Sequence, residues 1–181
     1  DRVSIDIGSG AQGFCGDSAR SFLVGEASQE TQEVLTVCRK ALANGIEAAY
    51  PGNTLCGLIS SIEEVIEASG RGLVKEFVGH GIGRNMHEEP QVPNFVSNDL
   101  KKRDFELREG LVLAIEPMVN GGGGGVTTLK DGWTVVTRDG SVSAHCEHTV
   151  AITAEGPRVL NLGPGESWPP LPGAVGQKSS P

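Results

Sequence analysis

The 181-residue sequence predicts an α+β fold, antiparallel strands with two helices laid against them. Three observations point there. The N-terminal stretch alternates apolar and polar residues, two helical stripes follow it, and strand-and-turn texture takes over beyond Gly70.

The elements follow in order. "RVSIDIGSGAQGFCGDSARSFLVG" reads as two strands, around Val3–Ile7 and Phe14–Val24, joined by "GSGAQ". From Thr31 to Tyr50, Val34, Leu35, Cys38, Leu42 and Ile46 recur at helical spacing. "YPGNT" then breaks the chain, and Asn53 or Thr54 is placed to cap a second helix ending at Gly70. Leu55, Leu58, Ile59, Ile62, Val65 and Ile66 share one face of that helix, so each helix should cover one side of a sheet. "LVKEFV" and "LVLAIEP" read as strands, and "WTVVTRDGSVSAHCEHTVAIT" as a hairpin turning at Asp139-Gly140. The run Gly121–Gly125 is expected to be a mobile loop. From Gly163 the tail "GPGESWPPLPGAVGQKSSP" loses periodicity, so a catalytic domain over 1–162 and a disordered tail over 163–181 are expected.

A hydrophobic content of 38% lies outside the disordered range, and the formal net charge of −8 disfavours nucleic acid and anionic membranes as partners. No apolar run approaches the ~18 residues of a membrane span. Cys15, Cys38, Cys56 and Cys146 show no CxxC spacing and read as reduced thiols rather than a disulfide framework.

Asp6, Asp17, Glu116 and Glu147 lie in or at the ends of apolar strands, where an uncompensated charge is costly. His80 opens the glycine-framed "GHGIGRNMHEEP", which also holds His87. Together they make a ligand set suited to hard or borderline divalent ions. Four carboxylates carry −4, which two divalent ions neutralise and one does not. Two ions sharing carboxylates could hold a hydroxide between them, a nucleophile at neutral pH. Structural-zinc patterns, a P-loop and a GxSxG elbow are missing from the sequence.

"SIDIGSGAQGFCGD", "GHGIGRNMHEEPQVPNF", "LVLAIEPMVN", "LKDGWTVVTRDGSVSAHCEHTVAIT" and "GPRVLNL" occur in an order that resembles the type I methionine aminopeptidases, of the pita-bread metallopeptidase fold. The likeness runs from Asp1 to about Leu162. It implies the C-terminal half of that fold, a curved antiparallel sheet covered by two helices. It also implies five metal ligands, Asp6, Asp17, His80, Glu116 and Glu147, with Asp17 and Glu147 bridging two divalent ions (manganese, iron, cobalt or zinc). His87 would contact the substrate and stabilise the tetrahedral intermediate, and Glu116 would move the proton. Trp133 would lie near the pocket for the first side chain, aided by Phe77 and Phe95.

The implied reaction is hydrolytic removal of initiator methionine from nascent proteins, in the cytoplasm, by a monomer. His145 and His148, beside Glu147, read as structural or supporting residues, and Cys15 and Cys146 as packing. Most of the family's N-terminal half, with an upstream catalytic histidine, has no counterpart here. The chain is therefore expected to be a fragment or a short relative, marginal in stability and poor in catalysis. Two other readings stay open: a non-catalytic peptide-binding paralogue, which the five retained ligands disfavour, and an Xaa-Pro peptidase, which "IEPM" and "DGWTV" disfavour.

Overall fold

The structure, a computed structural model, describes residues 1–168. The chain opens with a long ribbon, β1 (Arg2–Ala11) and β2 (Phe14–Leu23), then two helices, α1 (Gln29–Glu47) and α2 (Leu55–Ala68). Short strands β3 (Gly72–Leu73), β4 (Gly79–Gly81) and β5 (Glu88–Val92) precede a one-turn helix, α3 (Asn98–Lys102). Then come β6 (Val112–Ile115), β7 (Met118–Asn120), β8 (Val126–Thr128), β9 (Val135–Thr137), β10 (Ser143–His145), β11 (His148–Thr153) and β12 (Gly156–Val159).

Every strand pairing among the described residues is antiparallel. The largest sheet has the order β12-β11-β6-β4-β5, and β10-β7-β3 form a second. Ser28 caps α1 and Thr54 caps α2, each side chain accepting a bond from a backbone N–H three residues on. Leu55, Leu58, Ile59, Ile62 and Ile66 of α2 are fully buried in one cluster with Val34, Leu35, Cys38 and Ile46 of α1. Burying each of these large aliphatic side chains stabilises by roughly 1.5–3 kcal/mol.

The helices do not take separate sides of a sheet. They pack on one another, with α1 also on β6, β7 and β10, and α2 on β3. Gly45 shows why α1 fits there: a Cβ on it would meet Ile62 of α2 at 2.8 Å and Ile115 of β6 at 3.3 Å. Leu113 and Ile115, alternate residues of β6, therefore face the helical core and are fully buried. Ala114, between them, faces the other way.

Other expectations need correction. The ribbon turn is only Gln12-Gly13, both at positive φ, so most of "GSGAQ" is strand. "LVKEFV" is not one strand: β3 ends at Leu73, exposed Lys75, Glu76 and Phe77 carry the chain outward, and β4 joins a different sheet. Gly140 does turn the chain, at φ 73, but β9 pairs with β8 and β10 with β7, so the expected hairpin is absent. Gly121–Gly125 is tied down rather than free. Gly121 N–H donates to Val142 O, Gly123 N–H to Asp139 Oδ2, and Arg71 Nη1 to Gly121 O.

The expected tail lies outside the described residues from position 169 onward. Before that point Glu166 pairs bidentately with Arg20 of β2, and Trp168 packs edge-on to His148.

Candidate metal centre

Strand register brings the sheet's candidate ligands to one place. His80 pairs with Ala114 across β4 and β6, so its side chain shares the face opposite the helices. Glu116 follows two residues after Ala114. Thr149 of β11 also pairs with Ala114, and Glu147 precedes Thr149 by two. His80, Glu116 and Glu147 therefore converge just beyond the paired ends of β6 and β11.

The glycines around His80 are a packing requirement. A Cβ on Gly79 would collide with the Ala114 carbonyl and one on Gly81 with the Glu89 carbonyl. Only bare backbone lets β4 sit this tightly between its neighbours.

The ribbon supplies the remaining acids. Asp6 pairs with Ala19, and Gly8 with Asp17, so both carboxylates lie on the ribbon face that contains buried Ala19. β11 and the segment after β12 clamp Asp17. Its N–H donates to Thr149 Oγ1 at 3.1 Å, and its carbonyl accepts from Thr149 Oγ1 at 2.8 Å and Asn161 Nδ2 at 2.7 Å. Glu147 N–H donates to Ala19 O at 2.8 Å, closing the same seam.

At the centre, ligand atoms of Asp17, His80 and Glu147 lie within 4.8 Å of one another. His80 Nε2 is 3.7 Å from Asp17 Oδ2 and 3.7 Å from Glu116 Oε1. Its other nitrogen, Nδ1, is 2.9 Å from Gly81 O. A carbonyl only accepts, so Nδ1 carries a proton, and Nε2 is the ring nitrogen that faces the acids. A metal-binding imidazole is oriented in this way, its second nitrogen held by a carbonyl.

Glu147 is 2% exposed, and its Oε1 has no hydrogen-bond partner. Burial, then the charges of Glu116, Asp17 and Asp6, push its carboxyl up to about 9. Three acids around a fourth, whose buried oxygen has no donor, form an arrangement that fits divalent cations.

His87 is exposed, with its ring 4.4 Å from that of His80, at the open side of the cluster. Phe77 is 37% exposed, and Phe95 carries Lys75 Nζ over its ring. Trp133 stands 86% exposed in the turn between β8 and β9, where Asp131 Oδ1 accepts from its N–H. Sequence reasoning read His145 as structural or supporting without naming what it supports, and its Nε2 is 3.5 Å from Glu116 Oε2. The position follows from cross-strand packing, which residue order does not display.

Comparison with known proteins gives the family of the chain. The family model "Metallopeptidase family M24" matches residues 1–154. A methionine aminopeptidase of Clostridium perfringens is 49% identical over 162 residues, 90% of this chain and 64% of that protein. The chain thus spans just under two thirds of that relative's length. The crystal structure of a methionine aminopeptidase from Thermotoga maritima superposes with a TM-score of 0.82 at 42% identity, over 88% of this chain and 63% of that one. A prolidase from Pyrococcus furiosus superposes less closely, with a TM-score of 0.70 at 27% identity, over 90% of this chain and 42% of that one. The fold is the pita-bread fold.

Proposed function

The chain belongs to metallopeptidase family M24, and from that premise we propose that it carries the site of an aminopeptidase that removes N-terminal methionine from nascent proteins. One observation carries the reading most: a partnerless buried Glu147 oxygen in a cluster with Asp17 and with His80, whose Nδ1 is held by the Gly81 carbonyl.

Asp6, Asp17, His80, Glu116 and Glu147 would hold two divalent ions. Bound there, the ions supply Lewis acidity toward the scissile carbonyl and lower the pKa of water. Glu116 accepts the proton of the attacking water and returns it to the leaving amine. His87, at the open side, donates to the peptide and stabilises its developing negative charge. Phe77 and Phe95 offer apolar surface to the first side chain, while Trp133 rests on the sequence resemblance alone. The four cysteines are free, in keeping with a reducing cytoplasm, and no helix among the described residues is long and apolar enough to cross a membrane.

The test is release of methionine from a Met-Ala-Ser peptide in the presence of manganese or cobalt. EDTA, His80→Ala and Asp17→Asn should each abolish it. Cleavage of Xaa-Pro peptides in its place would move the chain to the prolidase branch, and metal binding without hydrolysis of either would favour a binding module.

A further inference from the structure

Glu116 is addressed by two imidazoles, one on each oxygen. Oε1 is 3.7 Å from His80 Nε2, and Oε2 is 3.5 Å from His145 Nε2. His80 sits on β4 within the sheet, whereas His145 ends β10, which pairs with β7 through His145 and Met118. Met118 lies two residues beyond Glu116, so this pairing sets the His145 ring beside the Glu116 carboxylate.

The His145 backbone is fixed from the opposite direction. Its N–H donates to Ser21 Oγ at 3.1 Å, and the same hydroxyl donates to its carbonyl at 2.9 Å. The ring therefore extends from a backbone that is held in place. Its Nε2 is nevertheless buried and makes no hydrogen bond. A buried polar nitrogen left unpaired is costly, and such groups in native structures need a reason. The Glu116 oxygen lies only a few tenths of an ångström beyond hydrogen-bonding range.

We propose that His145 is the positioning residue of Glu116: its Nε2–H holds Oε2, leaving Oε1 directed at the metal cluster beside His80. The inference rests on Glu116 being a metal ligand, as proposed above. A carboxylate that must both bind metal and move a proton needs one fixed orientation, and a single-bonded side chain cannot set that alone. The role requires only one N–H at that position.

The experiment measures Mn2+ binding by titration calorimetry for the wild-type chain, His145→Met and His145→Gln, with folding of each followed by thermal melting in EDTA. Methionine matches the length of glutamine but has no donor, while glutamine keeps an N–H. Loss of an outer partner of this kind weakens metal binding by roughly 10–100-fold, so His145→Met should fall in that range and His145→Gln should stay within about threefold of wild type. Wild-type binding with His145→Met unchanged overturns the inference alone. Absence of wild-type binding overturns the metal reading and this inference with it. If His145→Met does not fold, glutamine decides, and a loss of about tenfold or more in that variant overturns the role.

Discussion

The candidate ligands come from two regions built on different principles. His80, Glu116 and Glu147 extend from a sheet whose other face, Leu113, Ile115, Val150 and Ile152, is buried in the core. Asp6 and Asp17 come from a two-stranded ribbon whose outer face leaves Val3, Ile5 and Phe22 about half exposed and Ile7 60% exposed. Hydrophobic packing fixes the first region. The second is held by polar contacts: the Thr149 and Asn161 clamp on Asp17, the Ser21 bonds to His145, and Arg20 with Glu166. An isolated two-stranded ribbon is marginal in water, so these contacts decide whether its acids reach the site.

The largest consequence is electrostatic. Glu147 has a folded-state pKa near 9 against an ordinary value near 4.5, so between those values the folded chain holds a proton that the unfolded chain has lost. Stability of the metal-free protein should fall as pH rises through that window, by up to roughly 1.4 kcal/mol for each pH unit. Urea unfolding in EDTA at several pH values between about 5 and 9 measures the slope, which Glu147→Gln should flatten. Manganese must displace this proton, so its stabilisation should grow toward alkaline pH. A wild-type profile as flat as that of the variant would show that Glu147 is not confined as described.

Packing gives the next effect. Ile115→Ala, in the fully buried face of β6, should cost about 2–5 kcal/mol. Ile7→Ala, on the open face of β1, should fall within about 0.5 kcal/mol. Chemical denaturation of both variants checks the pair. Equal losses would mean that the ribbon's outer face is covered in solution, and the contrast between the two regions would fail.

The same division governs what the sequence could reveal. Helix stripes and the Thr54 cap are local, and they formed as the residues required. The alternation in "VSIDI" gave the ribbon because its two strands are neighbours in sequence. Strand partners farther apart were not readable. Asp139-Gly140 encodes a reversal of the chain, but nothing in those two residues selects β7 and β8 as partners for the strands on either side. His145 is the same lesson at the site. Its neighbour in sequence is Cys146, and its neighbour in space is Glu116, brought there by β10 pairing with β7.

The smallest effect concerns the seam between the two regions. Arg20 of β2 meets Glu166 in a bidentate pair that leaves both side chains more than a third exposed. The Arg20 guanidinium holds the Glu166 carboxyl down to about 2, so its contribution is complete above the ordinary carboxylate value and disappears as pH falls toward 2. Solvent screens so exposed a pair, and Glu166→Gln should cost no more than about 1 kcal/mol near neutral pH. That difference should shrink in ~1 M salt and vanish in strong acid. A larger loss that persists in high salt would mean that Glu166 acts through the packing of its segment, including Trp168 against His148, and that the seam is held by more than charge.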